Sequence, residues 1–427
     1  MGAELEQGEV RMKILIAGGG IGGLATALCL HAGGIEAEVF EQAPSVRELG
    51  VGINVLPHAI KVLATLGLLP ALDEAGIRTR ELIYTNRFGQ TVWRELRGMD
   101  AGYDTPQLSI HRGKLLQVLF QAAVERLGPA RIHVDHRLVD FQERGDRVVA
   151  RFERTEGAGS IEADGDALIG ADGIHSKVRS TLYPNQRQPI WSGIMIWRGA
   201  VEWPTYQDGR TMVIAGSNTS KFVFYPIHAD PQKPDRRLTN WAVMARADAA
   251  KVPLGRGDWN RPGRLEETLT FVRDKFRLGF IDPVSLIEAT GPFYEYPNCD
   301  RDPVARWSFG RVSLLGDAAH PMYPVGSNGA SQAILDAICL ARHLGGVGSI
   351  QDALSAYDTE RRTATSEIVL ANRKGGPEGV IDMIEKRAPH GFDDIEQVAT
   401  YQEREAIVRG YASMAGFSRD QVNRSKG

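Results

Sequence analysis

Between a short apolar run, Lys13 to Ala17, and an apolar helix-patterned stretch, Leu24 to Leu30, the chain carries Gly18-Gly19-Gly20-Ile21-Gly22-Gly23, with glycines at the G-x-G-x-x-G spacing. That order is strand, tight turn, helix. The first glycine permits the turn, the second lets backbone approach a pyrophosphate, and the third lets helix pack on strand, while the helix N-terminus presents unpaired N–H groups and a positive dipole end. Ala37-Glu38-Val39-Phe40 then reads as a second strand ending at Glu41-Gln42. A carboxylate at Glu41 can accept both hydroxyls of an adenosine ribose, and it disfavours a 2′-phosphate because two anions repel. The pattern predicts a Rossmann-like α/β domain holding FAD or NAD rather than NADP in this pocket. Expected contacts are Gly18, Gly20, Ile21, Gly22, Gly23, Glu41 and Gln42.

Two further stretches discriminate between these nucleotides. Asp166 to Gly170 is a mostly apolar run closing on Asp172-Gly173, with Arg179 downstream. Val312 to Leu315 closes on Gly316-Asp317, and Pro324-Val325-Gly326-Ser327-Asn328-Gly329-Ala330 leads into a helical pattern over Ser331 to Leu344. A plain NAD fold needs neither. An Asp at a strand end can bind a polyol linker, and a glycine-rich turn with a helix start can place N–H donors beside a ring edge that becomes anionic on reduction. In this order the three stretches specify a flavin.

On these residues the chain resembles the class A FAD-dependent aromatic hydroxylases, the p-hydroxybenzoate and salicylate hydroxylase type, from Lys13 to about Arg373. The resemblance implies an FAD monooxygenase acting through a flavin C4a-hydroperoxide, with NADH or NADPH as electron donor, O2 as co-substrate and an aromatic small molecule as substrate. It implies Gly18, Gly20, Gly23 and Glu41 on the ADP half of FAD, Asp172, Gly173 and Arg179 near both nucleotides, and Asp317 on the ribityl chain. It also implies Arg112, in Ile110-His111-Arg112-Gly113-Lys114-Leu115, as a flavin contact, and Gly50-Val51-Gly52-Ile53 as a loop past the ring, giving Val51 and Gly52. Leu138, Gly329 and Ala330 complete the expected cofactor contacts, with Pro324 near the reacting flavin carbon. The Pro321 to Gln332 wording and the tail from Gly376 to Phe417 are similar to the phenazine-modifying members, which implies hydroxylation of a phenazine-like carboxylate, with or without decarboxylation; the alternatives are a flavin monooxygenase of another ring class (polyketide, quinolone or Baeyer–Villiger type) and a flavin-binding redox protein without oxygenase activity.

The substrate layer is expected over 186–298, where strands Ile194 to Val201, Met212 to Ala215, Phe222 to Ile227 and Thr239 to Ala245 suggest an antiparallel sheet inserted into a flavin domain built from 12–185 and 299–373, with a helical tail over 374–427. Tyr225 is the expected catalytic-pocket residue, in phase with Val223 and Ile227, and Met195, Trp197 and Phe293 are expected apolar pocket walls. Hydroxybenzoate-type relatives often have His four residues before that Tyr. This chain has Lys221, whose ammonium is expected to face solvent as most lysines do, the alternative being a pair with a substrate carboxylate.

A net charge of −3 over 427 residues offers nothing to nucleic acid. No uninterrupted apolar stretch approaches the ~18–20 residues of a membrane span. Met1 to Arg11 reads as neither signal nor transit peptide. Cys29, Cys299 and Cys339 show no pairing or metal spacing, so no metal is expected and a reducing cytoplasm is. The tail is expected either to cap the pocket or to mediate a homodimer.

Overall fold

The computed structural model describes residues 12–45, 51–156, 159–247, 261–346 and 348–425. Met1 to Arg11 and Gly50 lie outside them.

Alternation of apolar runs with helical patterns yields a five-stranded parallel sheet in the order Val312–Leu314, Ala167–Gly170, Lys13–Ala17, Glu36–Phe40, Ile132–His133. The first three of these strands are buried on both faces along almost their whole length, as parallel strands require. Helices Ile21–Ala32, Arg112–Leu127 and Gly329–Leu344 pack against one another through the first of them, and the core runs through Ile14, Leu24, Leu119, Ile169 and Ile334. All three carboxyl-terminal ends of the central strands, at Ala17, Gly170 and Leu314, feed glycine-bearing turns on the same edge. Parallel register brings the three motifs together there.

The second layer is an eight-stranded sheet in the order Arg261–Pro262, Tyr294–Asp300, Ile190–Pro204, Arg236–Arg246, Ser220–His228, Thr211–Ser217, Glu81–Thr85, Thr91–Leu96. The four long strands read from the sequence all form. The sheet is not confined to 186–298, because Glu81–Thr85 pairs in parallel with Thr211–Ser217 and covers what would otherwise be an unpaired edge. One face of this sheet buries Trp197, Phe222, Phe224, Trp241 and Phe293 beneath helices Leu265–Lys275 and Pro283–Glu288. The other buries Met212, Ile214, Val223, Tyr225 and Ala242 together with Val380, Ile381 and Ile384 of tail helix Gly379–Arg387.

A small antiparallel sheet of Gly52–Val55, Leu108–His111 and Gly76–Arg78 touches Ser220–His228 and joins the two layers. The tail returns across the joint. Its helix Tyr401–Met414 starts at a capping box formed by Thr400 and Glu403, and Tyr411 and Phe417 pack with Leu56 and Ile368. Among the described residues no helix is long and apolar enough to cross a membrane.

Candidate active site

A cleft of about 330 Å³ lies where the layers meet. Its lining draws on the first glycine turn (Gly20, Ile21, Gly22), the middle turn (Ala171, Gly173), the late turn (Gly316, Asp317), the loop Pro324 to Ala330, and Arg112. From the large sheet come Arg198, Met212, Ile214, Lys221, Val223, Tyr225, Asn240, Ala242 and Met244, and the tail adds Glu378.

On the nucleotide side, two glycines are fixed by close backbone approach. Gly18 has φ +111°, and a Cβ there would lie 2.3 Å from the Ala171 carbonyl oxygen; a Cβ at Gly23 would lie 1.9 Å from the Gly18 carbonyl oxygen. Gly20, Gly173 and Gly329 behave differently: they line the cleft and have open space where a Cβ would be. Backbone is therefore left bare along the path, and the helices Ile21–Ala32 and Gly329–Leu344 both begin at it. Glu41 Oε2 accepts from Gly19 N at 2.7 Å and Oε1 from Ala43 N at 2.8 Å, which holds the acid at the strand end beside the turn. This arrangement of bare backbone, helix starts and a strand-end acid fits FAD.

Asp317 opens into the cleft, and the protein around it pushes its carboxyl above the usual range, against the charges of His320 and Arg112. Replacing Asp317 by Ala is expected to lower FAD affinity by about 1.5–3 kcal/mol, the worth of hydrogen bonds to a charged group. Flavin content after purification and FAD titration of the apoprotein check this; unchanged affinity would remove Asp317 from the cofactor contacts. Behind the turn, Asp336 accepts from Gly316 N at 3.1 Å, contacts His320 Nε2 at 2.5 Å and pairs with Arg361 at 2.7 Å. Burial raises the Asp336 carboxyl, but the His320 and Arg361 charges prevail and hold it at about 2. The loop Pro324 to Gly329 is held from the tail: Asn328 Nδ2 donates to the Tyr411 hydroxyl at 2.8 Å, which donates to Asn372 Oδ1 at 2.6 Å.

The substrate side is a sheet face of alternating residues. Lys221, Val223 and Tyr225 share one phase of Ser220–His228, and Asn240, Ala242 and Met244 share one phase of the neighbouring strand. Burial pushes the Tyr225 hydroxyl up to about 12, with Arg198 opposing, so the phenol stays protonated in the physiological range. Arg198 donates to the Tyr296 hydroxyl at 3.0 Å and to the Gly52 carbonyl, and Asn240 Oδ1 accepts from Gly52 N at 2.8 Å. Together they clamp the strand Gly52–Val55 onto the sheet.

Of the cofactor contacts expected from sequence, Gly20, Ile21, Gly22, Gly52, Arg112, Gly173, Asp317, Pro324, Gly329 and Ala330 line the cleft. Gly18, Gly23, Glu41, Gln42, Val51 and Leu138 do not. Gln42 accepts from Thr155 through its carbonyl, Val51 accepts from Arg112 N, and Leu138 is in the main core. The Asp172 carboxylate is turned away from the cleft onto Ser176 Oγ (2.5 Å), Lys177 N (2.6 Å) and Val178 N (3.2 Å). Arg179 is buried and donates to the carbonyls of Ala318 (3.0 Å), Ala319 (2.6 Å) and Asp302 (3.0 Å), bracing the Asp317 turn from behind.

Three expected pocket walls are corrected. Trp197 and Phe293 pack into the core on the far side of the sheet, where the Trp197 indole donates to Glu295 at 3.0 Å, and Met195 shares the phase of Trp197. A strand shows the cleft only every second residue, so Arg198 is on the wall and its neighbour Trp197 is not. Lys221 is also corrected. It is 1% exposed and paired with Glu378. Asn240, Met212, Met244 and Glu378 were not singled out from sequence; the first three follow from strand phase once Tyr225 is known to face the cleft, whereas nothing local marks Glu378.

Residues 11–251 and 297–371 match a family model described as FAD binding domain. The chain is 45% identical over 364 residues to phenazine 1,6-dicarboxylic acid hydroxylase PhzS of Lysobacter antibioticus, covering 84% of this chain and 89% of that protein. It is 30% identical over 370 residues to 3-hydroxybenzoate 6-hydroxylase 1 of Aquipseudomonas alcaligenes, covering 84% and 88%. A solved salicylate hydroxylase substrate complex superposes with a TM-score of 0.73 at 21% identity over 98% of each chain, which shows the shared fold. With its three glycine motifs on one sheet edge and this match across most of its length, the chain belongs to the FAD binding domain family and is an FAD-dependent monooxygenase of the aromatic hydroxylase type.

Proposed function

We propose that this protein hydroxylates a planar, multi-ring aromatic or N-heteroaromatic carboxylate of the phenazine class in the cytoplasm, using NAD(P)H and O2. The observation that carries the reading is the cleft itself: a bare-backbone cofactor path on one side and a mostly apolar sheet face with a few placed polar groups on the other. Similarity to the Lysobacter antibioticus enzyme supports the ring class.

Bound FAD supplies the chemistry of oxygen activation and transfer to an electron-rich ring carbon. The chain's residues would hold and enclose it. The backbone at Gly20, Ile21 and Gly22 would face the phosphates, Asp317 would take the linker hydroxyls, and the loop Pro324 to Ala330 would lie against the ring, with the N-terminus of Gly329–Leu344 offering N–H groups to the edge that gains negative charge. Met212, Ile214, Val223, Ala242 and Met244 exclude water, which guards against unproductive loss of activated oxygen. Tyr225, kept protonated, orients the substrate as a hydrogen-bond donor rather than abstracting a proton.

Purified protein carrying its flavin is expected to oxidise NADH or NADPH slowly alone and at least tenfold faster with a phenazine carboxylate, compared with pyridine and benzene carboxylates. The product should carry one added oxygen; its mass and any released CO2 report whether the carboxyl group is kept. Flavin-loaded protein that no aromatic acid stimulates would refute the proposal.

A further inference from the structure

Lys221 and Glu378 form an ion pair inside the cleft, with side chains 2% and 5% exposed. Lys221 belongs to the substrate sheet. Glu378 belongs to the tail, beyond residue 371, the last that the family model matches. Two further contacts give the pair its character. Lys221 Nζ also donates to Asn218 Oδ1 at 2.8 Å, and Asn218 is held through both its backbone N (2.8 Å) and its side-chain amide by Asp382, again from the tail. Glu378 Oε1 accepts from Gly326 N at 3.3 Å, two residues from Pro324.

We propose that Glu378 is an internal counter-anion standing where a substrate's ring carboxylate binds, and that Lys221 selects ring acids over their neutral analogues by exchanging one carboxylate for the other. This rests on the aromatic-hydroxylase reading above. A buried ammonium without a partner is costly, so before substrate binds some anion must face Lys221. Asn218 keeps the ammonium aimed whichever carboxylate it faces, and Gly326 N–H offers Glu378 a donor once Lys221 has turned to substrate. The wall between is apolar, and Lys221 and Tyr225 lie four residues apart on one strand face, about 13 Å by the strand rise. An acid held at Lys221 with its far end at Tyr225 is longer than one six-membered ring, which matches a multi-ring substrate. Arg198, the other cation on this wall, already serves the Gly52 carbonyl and the Tyr296 hydroxyl.

The test compares binding of phenazine-1-carboxylate and phenazine-1-carboxamide to the FAD-loaded protein, read by flavin fluorescence or calorimetry. Wild type is expected to prefer the acid. Glu378→Gln, which removes the competing anion and keeps the shape, should increase that preference about tenfold or more, and the neutral pair Lys221→Met with Glu378→Gln should abolish it while the amide still binds. Opposite changes from the two variants cannot come from general damage to the fold. A preference that stays or falls in Glu378→Gln, or survives in the double variant, overturns the exchange and moves the anchor elsewhere, with Arg198 the next cation. Wild type that binds neither ring refutes the substrate class itself, and the exchange with it.

Discussion

Asp336→Ala is expected to destabilise the protein by about 3–5 kcal/mol, the cost of removing one partner from a buried charge network. Asp336 is fully buried and is the shared partner of Arg361, His320 and the Gly316 N–H. Without it, among the described residues, the Arg361 guanidinium keeps only Gln332 as a hydrogen-bond partner, at 2.6 Å to Oε1 and 3.4 Å to the backbone carbonyl. The turn carrying Asp317 also loses its backbone anchor, so the melting temperature and FAD affinity should fall together. The same carboxylate predicts an acid limb. Its carboxyl is held at about 2 in the fold, below the ~3.9 of an unfolded Asp. A lowered folded value stabilises above the unfolded value, and that stability is lost as pH falls from about 4 towards 2. Denaturant unfolding at pH 7, 4 and 2.5 should show the wild type losing stability over this interval and Asp336→Asn losing less.

Gly18→Ala is expected to give a colourless protein. The residue sits at φ +111°, where a side chain costs about 1–3 kcal/mol, and the added carbon would stand 2.3 Å from the Ala171 carbonyl oxygen. Relief requires moving either the first glycine turn or the middle one, and both line the cleft. Gly20→Ala is the informative contrast. Its Cβ meets nothing in the protein, so the fold should keep its stability while FAD binding weakens, because the added methyl occupies the cofactor path. Thermal melting and flavin content distinguish the two, and equal FAD loss with equal destabilisation in both would deny Gly20 a cofactor-facing role.

The parts of the fold legible in the sequence are those set by local pattern. Short apolar runs marked Met212 to Ala215, Phe222 to Ile227 and Thr239 to Ala245 as strands, and helical period marked Ser331 to Leu344, because each element must bury its apolar residues wherever it is placed. The Asp172 and Arg179 contacts were less legible. Their residue types suit nucleotide binding, but Asp172 is nearest its own following helix, whose N–H groups it accepts, and Arg179 reaches the carbonyls behind the Asp317 turn. Which use a polar side chain takes depends on which unsatisfied group is nearest, and that is a fact of three dimensions.

By itself the sequence determined the three glycine turns and the strands that feed them, since strand, turn and helix are written in contiguous residues. It also determined the flavin, because three such turns in that order answer to one ligand. Only the tertiary structure decided which face of the large sheet the cleft would meet, placing Trp197 outside and Arg198 within. It alone brought Glu378 across 157 residues of chain to Lys221. The physical reason is that a residue's phase is local, whereas the partner that pairs a buried charge is chosen by packing, and no local pattern carries that information.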